Sequence, residues 1–107
     1  MRAAALAAVL GLLARTTGEA APRRPATTKV TIEAMRFSPA EITVKPGDTI
    51  LWTNNDIVAH TVTSQTGAFD SNLIPPGGTW KFVVKKTGAF GYKCSYHPTM
   101  TATFKGR

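Results

Sequence analysis

Residues 41–56 read EITVKPGDTILWTNND, and the fold turns on this stretch. Ile42 and Val44 lie two apart among polar neighbours, and Ile50 and Trp52 lie two apart further on. A period of two belongs to strands with one buried face. Between the runs, Pro46-Gly47-Asp48 places a residue of fixed φ before one free to take positive φ, which is the chemistry of a tight turn. The stretch therefore reads strand, turn, strand. Working outward, VTIEA (30–34), AHTVTS (59–64), TWKFVV (79–84), AFGYKCS (89–95) and TATF (101–104) have the same character. Pro75-Pro76-Gly77-Gly78 and Thr87-Gly88 punctuate them, and no window carries a helical period. About seven short strands with regular turn signals point to an antiparallel sandwich or small barrel. Trp52, Phe82, Val84, Phe90, Tyr92 and Phe104 are its expected core, since aromatic rings carry most of the apolar burial in a small domain.

The N-terminal stretch reads differently. Met1-Arg2, an apolar run over 3–14 and the small residues of TTGEAA, with Gly18 and Ala20 before a cleavage point, have the layout of a secretory signal peptide over 1–20. The apolar run is shorter than the ~20 residues that span a bilayer, so the chain is not expected to be membrane-spanning. Residues 21–28, rich in Pro, Thr and Arg, read as a flexible arm, and 29–107 as the domain. Export implies a periplasmic protein. Thirteen Lys and Arg against six Asp and Glu give a formal charge of +7. For an exported chain this favours an acidic protein surface or an anionic membrane face over nucleic acid.

Cys94 is the only cysteine, so no disulfide can form within the chain. It opens CSYHPTM (94–100), with His97 three residues on and Met100 three beyond that. A lone cysteine in an exported protein implies an intermolecular bond, a reactive thiol or a ligand. Taken singly, Cys94 also reads as a small buried apolar residue, and His60 as a surface or hydrogen-bonded histidine. Together, thiolate, imidazole and thioether on one loop form a soft to borderline donor set that suits copper better than calcium, magnesium or manganese. Structural zinc usually takes four Cys or His ligands. His60, the only other histidine, sits at a strand start that a sandwich would bring to the same pole. Two histidines, a cysteine and a weak axial methionine make the blue-copper electron-transfer site. A Cys94/His60 thiol catalyst lacks an evident third orienting residue, so no enzyme activity is expected.

On these residues the chain resembles the cupredoxins, the type 1 blue copper proteins, and among them the amicyanins, over about residues 29–105. VKPGDTILWTNND and AHTV resemble the first-ligand region, and PPGGTWKFVVKKTGAFGYKCSYHPTM the C-terminal half. The C-x2-H-x2-M spacing is the amicyanin-like form; plastocyanins and pseudoazurins have longer His-to-Met spacings. The resemblance implies a Greek-key antiparallel β-sandwich of about seven to eight strands. It implies one type 1 copper per chain, held by ring nitrogens of His60 and His97, the sulfur of Cys94 and axial Met100. It also implies a monomeric one-electron carrier cycling Cu(II)/Cu(I) and meeting redox protein partners through their acidic surfaces. The alternative is a copper delivery or tolerance protein using the same ligands. Tyr96, Pro98, Met35 and Pro75-Pro76 are candidates for an apolar docking patch. Thr61 stands where many cupredoxins have an asparagine that ties the ligand loops together, and its hydroxyl is expected to reach the Ser95 backbone instead.

Overall fold

The computed structural model describes residues 23–107. The expected signal peptide, with the first two residues of the arm, lies outside them. The described residues form eight strands and no helix: β1 (Thr27–Glu33), β2 (Arg36–Ser38), β3 (Glu41–Val44), β4 (Thr49–Asn54), β5 (Thr63–Ser64), β6 (Thr79–Val83), β7 (Gly88–Cys94) and β8 (His97–Gly106). They build two four-stranded sheets, ordered β2-β1-β4-β6 and β3-β8-β7-β5, which make an all-β sandwich.

Alternation decides which side chains meet between the sheets. Val30 and Ile32 of β1 are buried, as are Ile50, Trp52 and Asn54 of β4. The other sheet contributes Tyr92 and Cys94 of β7 and Met100, Ala102 and Phe104 of β8. Trp52 joins the layers. Its ring centroid lies 5.3 Å from that of Trp80 and 5.6 Å from that of Tyr92, and its indole N–H donates to the Tyr92 hydroxyl at 3.2 Å. Burial pushes the Tyr92 phenol up to about 12, with the Trp52 hydrogen bond acting the other way. Of the expected core, Trp52, Val84, Tyr92 and Phe104 are buried. Phe82 and Phe90 are only partly so, because with Phe69 and Phe104 they line an open cavity of about 340 Å³.

The sheets are mixed, where the sequence suggested antiparallel pairing throughout: β1 runs parallel to β4, and β3 to β8. The turn at 45–48 shows why. Gly47 takes φ 101°, and the Asp48 N–H donates to the Lys45 carbonyl at 2.9 Å, as a turn with Pro and Gly in its central places should. Instead of folding a hairpin, it carries the chain from β3 in one sheet to β4 in the other. Other bounds also differ from expectation. β1 takes in Thr27 and Thr28, assigned above to the arm. β2 is an additional strand, joined to β1 through Ala34 and Met35, both at positive φ (53° and 60°). The strand expected over 59–64 shrinks to Thr63–Ser64, because His60 makes an isolated bridge with Ile74. β8 begins at His97 rather than Thr101.

Asp48 ties the arm to the sandwich. Its carboxylate accepts the N–H groups of Ala26 (2.9 Å) and Lys45 (3.1 Å) and pairs with Arg23 at 3.0 Å. The Ala26 N–H first, then that of Lys45, with Arg23 adding to them, lower its pKa from 3.8 to about 2. A carboxylate lowered in this way contributes stability that is fully present above its unfolded pKa and is lost as pH falls through the folded one. The protein is therefore expected to lose stability as pH drops from about 4 to about 2, the window set by the lowered Asp48 pKa. Asp48→Asn should be less stable at neutral pH and show a flatter profile across that window. Urea unfolding at a series of pH values checks this; an unchanged slope would remove Asp48 from the account.

Candidate metal centre

The period of two in β4 reaches the site directly. After Ile50 and Trp52, the next inward position is Asn54, and it is fully buried. Its amide donates to the carbonyls of Val58 and Ile74, both at 2.9 Å, and its Oδ1 accepts the Asp56 N–H at 2.9 Å. These bonds fold residues 54–60 into a fixed loop that ends at His60. His60 is itself held to Ile74 by two backbone hydrogen bonds, at 3.1 and 2.8 Å. The imidazole is completely buried.

The second half of the site comes from the β7–β8 hairpin. Tyr92 pairs with Ala102 and Lys93 with Thr101, a ladder that would set Cys94 opposite Met100. The register instead shifts at Lys93/Cys94, and Cys94 pairs with His97 across the two residues Ser95 and Tyr96. The C-x2-H spacing is thus the two arms of a tight turn, and the shift turns His97 back toward the cysteine. Cys94 Sγ lies 3.6 Å from His60 Nδ1 and 3.4 Å from His97 Nδ1. The three donor atoms fall within 4.8 Å of one another. Met100 is buried three residues beyond His97. The structure therefore brings together the histidines and cysteine singled out from sequence, with Met100 on the inward face of β8.

The two sulfur–nitrogen distances fit a shared ion. Nitrogen and sulfur donors bound at about 2.0–2.3 Å, at angles of roughly 110–120°, are about 3.5–3.8 Å apart. The donor chemistry fits copper for the reasons given above, and the site accommodates one type 1 copper.

Polar contacts around the donors complete the centre. Thr61 reaches Ser95 as expected: its Oγ1 accepts the Ser95 N–H at 2.8 Å and lies 2.8 Å from Thr63 Oγ1. Its own N–H donates to Cys94 Sγ at 3.4 Å. One residue thus joins the His60 segment to the Cys94 turn. Thr61→Val keeps the shape but leaves the Ser95 N–H unpaired, and is expected to cost about 1–3 kcal/mol, whereas Thr61→Ser should cost less than half as much. Denaturant unfolding of the metal-free proteins measures both. Sequence reading missed Asn54 and Asp56. A polar residue at an inward strand position was the available signal for Asn54. Asp56 lies four residues before His60, and its Oδ2 is 2.9 Å from His60 Nε2. The Met35 N–H first, then the His60 ring, hold the Asp56 carboxyl below the usual carboxylate range.

A β-sandwich carrying two histidines, a cysteine and a buried methionine at one pole defines a class, the small copper-binding β-proteins. The chain belongs to the cupredoxin family: the Cupredoxin-like domain matches residues 3–104. It is similar to amicyanin-alpha of Methylorubrum extorquens, 30% identical over 112 aligned positions that cover 94% of each chain. It is also similar to the amicyanin of Paracoccus versutus, 30% identical over 76 positions, covering 66% of this chain and only 58% of that relative. Among solved structures, a purple cupredoxin from Nitrosopumilus maritimus superposes with a TM-score of 0.70 at 26% identity, over 75% of this chain and 99% of the other.

Proposed function

We propose that the protein is a small one-electron carrier cycling between Cu(II) and Cu(I) at a type 1 site, which His60, Cys94 and His97 would hold as strong ligands and Met100 as a weak one. The observation that carries this reading is the close triangle formed by Cys94 Sγ and the two Nδ1 atoms. Copper, when bound, supplies the single-electron couple. The chain's part is to hold the donors still. Asn54 fixes the His60 loop, and Thr61 fixes the Cys94 turn to it. A frame that moves little between two states keeps the reorganisation small and the transfer fast. No substrate bond is made or broken in this scheme, and the signal-like N-terminus makes the periplasm the place of work.

An apolar rim lies along the segments that hold the site. Met35 and Tyr96 are exposed, as are Pro75, Pro76 and Pro98. Ile57, at 89% exposure, with Val58 and Leu73, extends the rim beyond the residues suggested by sequence. All of these lie on segments that end at, or bond to, the His60 loop or the Cys94–His97 turn. A small apolar face suits a brief encounter, and the net positive charge would speed the approach of an acidic partner. The test is voltammetry of the copper-loaded protein together with a chelator challenge. One reversible electron per chain, with copper retained for hours, is expected. Copper lost to the chelator within minutes would favour delivery over electron transfer.

A further inference from the structure

His60 presents two ring nitrogens to two different environments. Nδ1 faces the Cys94 sulfur, while Nε2 lies 2.9 Å from Asp56 Oδ2. The ring is fully buried, and the Asp56 side chain is only 14% exposed. The carboxylate itself has little freedom. Oδ2 also accepts the Met35 N–H at 3.0 Å, Oδ1 accepts the Ile57 N–H at 3.1 Å, and the Asp56 N–H is held by Asn54. Met35 reaches this position from a hairpin tip in which it and Ala34 both adopt positive φ, a conformation that non-glycine residues keep only where surrounding contacts hold it. His97 is different: among the described residues, the only hydrogen-bond partner of its ring is the Cys94 sulfur.

We infer that Asp56 is a positioning residue for the metal centre: its fixed carboxylate keeps the proton of His60 on Nε2, leaves the Nδ1 lone pair turned toward Cys94, and lowers the reduction potential of the site. This rests on the copper reading above. The nitrogen of a ligand histidine that meets the metal is set by the hydrogen bond the other nitrogen makes. A carboxylate as that partner makes the imidazole a stronger donor. Its negative charge, one ring away from the ion, favours the higher oxidation state. The two histidines are therefore unequal: His60 is the anchored, strongly donating ligand, and His97 lacks such support.

The test uses Asp56→Asn, which keeps the side chain's shape and one oxygen able to accept from Nε2 and the Met35 N–H, but removes the charge and sets an NH2 group where Oδ1 accepted the Ile57 N–H. The purified protein is compared with the variant by voltammetry, by competition titration with Cu(II), and by nitrogen-15 NMR of the metal-free ring. The expected results are a higher reduction potential and Cu(II) affinity about 10- to 100-fold lower, with the visible band retained. The metal-free wild-type protein should show a single His60 tautomer with the proton on Nε2. A purely structural role would lower the melting temperature of the variant and leave its potential unchanged, which would overturn the inference. Should the variant fail to fold, the wild-type spectrum still decides: a proton on Nδ1 of His60 in the metal-free protein would overturn it. If the wild-type protein forms no thiolate–copper band, the copper reading fails first and this inference fails with it. A blue wild type with an unmoved Asp56→Asn potential would overturn this inference alone.

Discussion

Cys94→Ser is expected to abolish the intense visible absorption of the Cu(II)-loaded protein while leaving the sandwich folded. The sulfur stands between both imidazoles and receives the Thr61 N–H, so it is the donor that links the His60 loop to the hairpin. A serine oxygen is harder than a thiolate and is not deprotonated at neutral pH, so it cannot form the thiolate bond that gives this class of site its colour. The side chain is small and buried, and oxygen fills nearly the same space. Circular dichroism of the metal-free variant should therefore match that of the parent. An absorption titration with Cu(II) reads the effect; a variant that still coloured intensely would show that the chromophore does not involve Cys94.

Trp52→Ala should be the most damaging single change away from the site. The indole is fully buried, lies beside Trp80 of its own sheet and against Tyr92 of the facing sheet, and donates to the Tyr92 hydroxyl. Truncating a buried aromatic residue of this size costs about 3–5 kcal/mol, because the cavity left behind collapses only in part. Domains of this kind are stable by about 5–15 kcal/mol, so the loss would bring the metal-free variant close to unfolding at ordinary temperature. Copper held more tightly by the folded form should recover part of the loss by mass action. Trp52→Phe keeps much of the packing but leaves the Tyr92 hydroxyl without its donor, and should lose about 1–3 kcal/mol. Urea unfolding with and without copper measures each effect. A cost below about 1 kcal/mol for Trp52→Ala would show that the two layers do not depend on this contact.

The strands were legible where one face is buried. The alternation of Ile50 with Trp52, and the run ending in Tyr92 and Cys94, name the inward side chains directly. The partnership of strands was not, because the turn at Pro46-Gly47 looks the same whether it folds a hairpin or carries the chain to the other sheet. The short form of β5 was hidden for a related reason. The Ala59–Ser64 run alternates well, but His60 is diverted to Ile74, and only Thr63–Ser64 remain to pair with β7. At the site, the spacing of Cys94, His97 and Met100 was visible, whereas the register shift that turns His97 toward the sulfur depends on strand pairing and was not. Asp56 gave no signal of its own. An acidic residue in an exposed-looking NND loop is ordinary, and its role follows only from how Asn54 folds that loop back onto His60.

The most direct test of the copper site is an absorption spectrum of the purified protein with one equivalent of Cu(II), taken before and after ascorbate. An intense visible band that saturates at one copper per chain and is bleached by the reductant is expected. A protein that stays colourless or only faintly coloured at saturation would contradict it, because Cys94 would then not be bonded to the cupric ion.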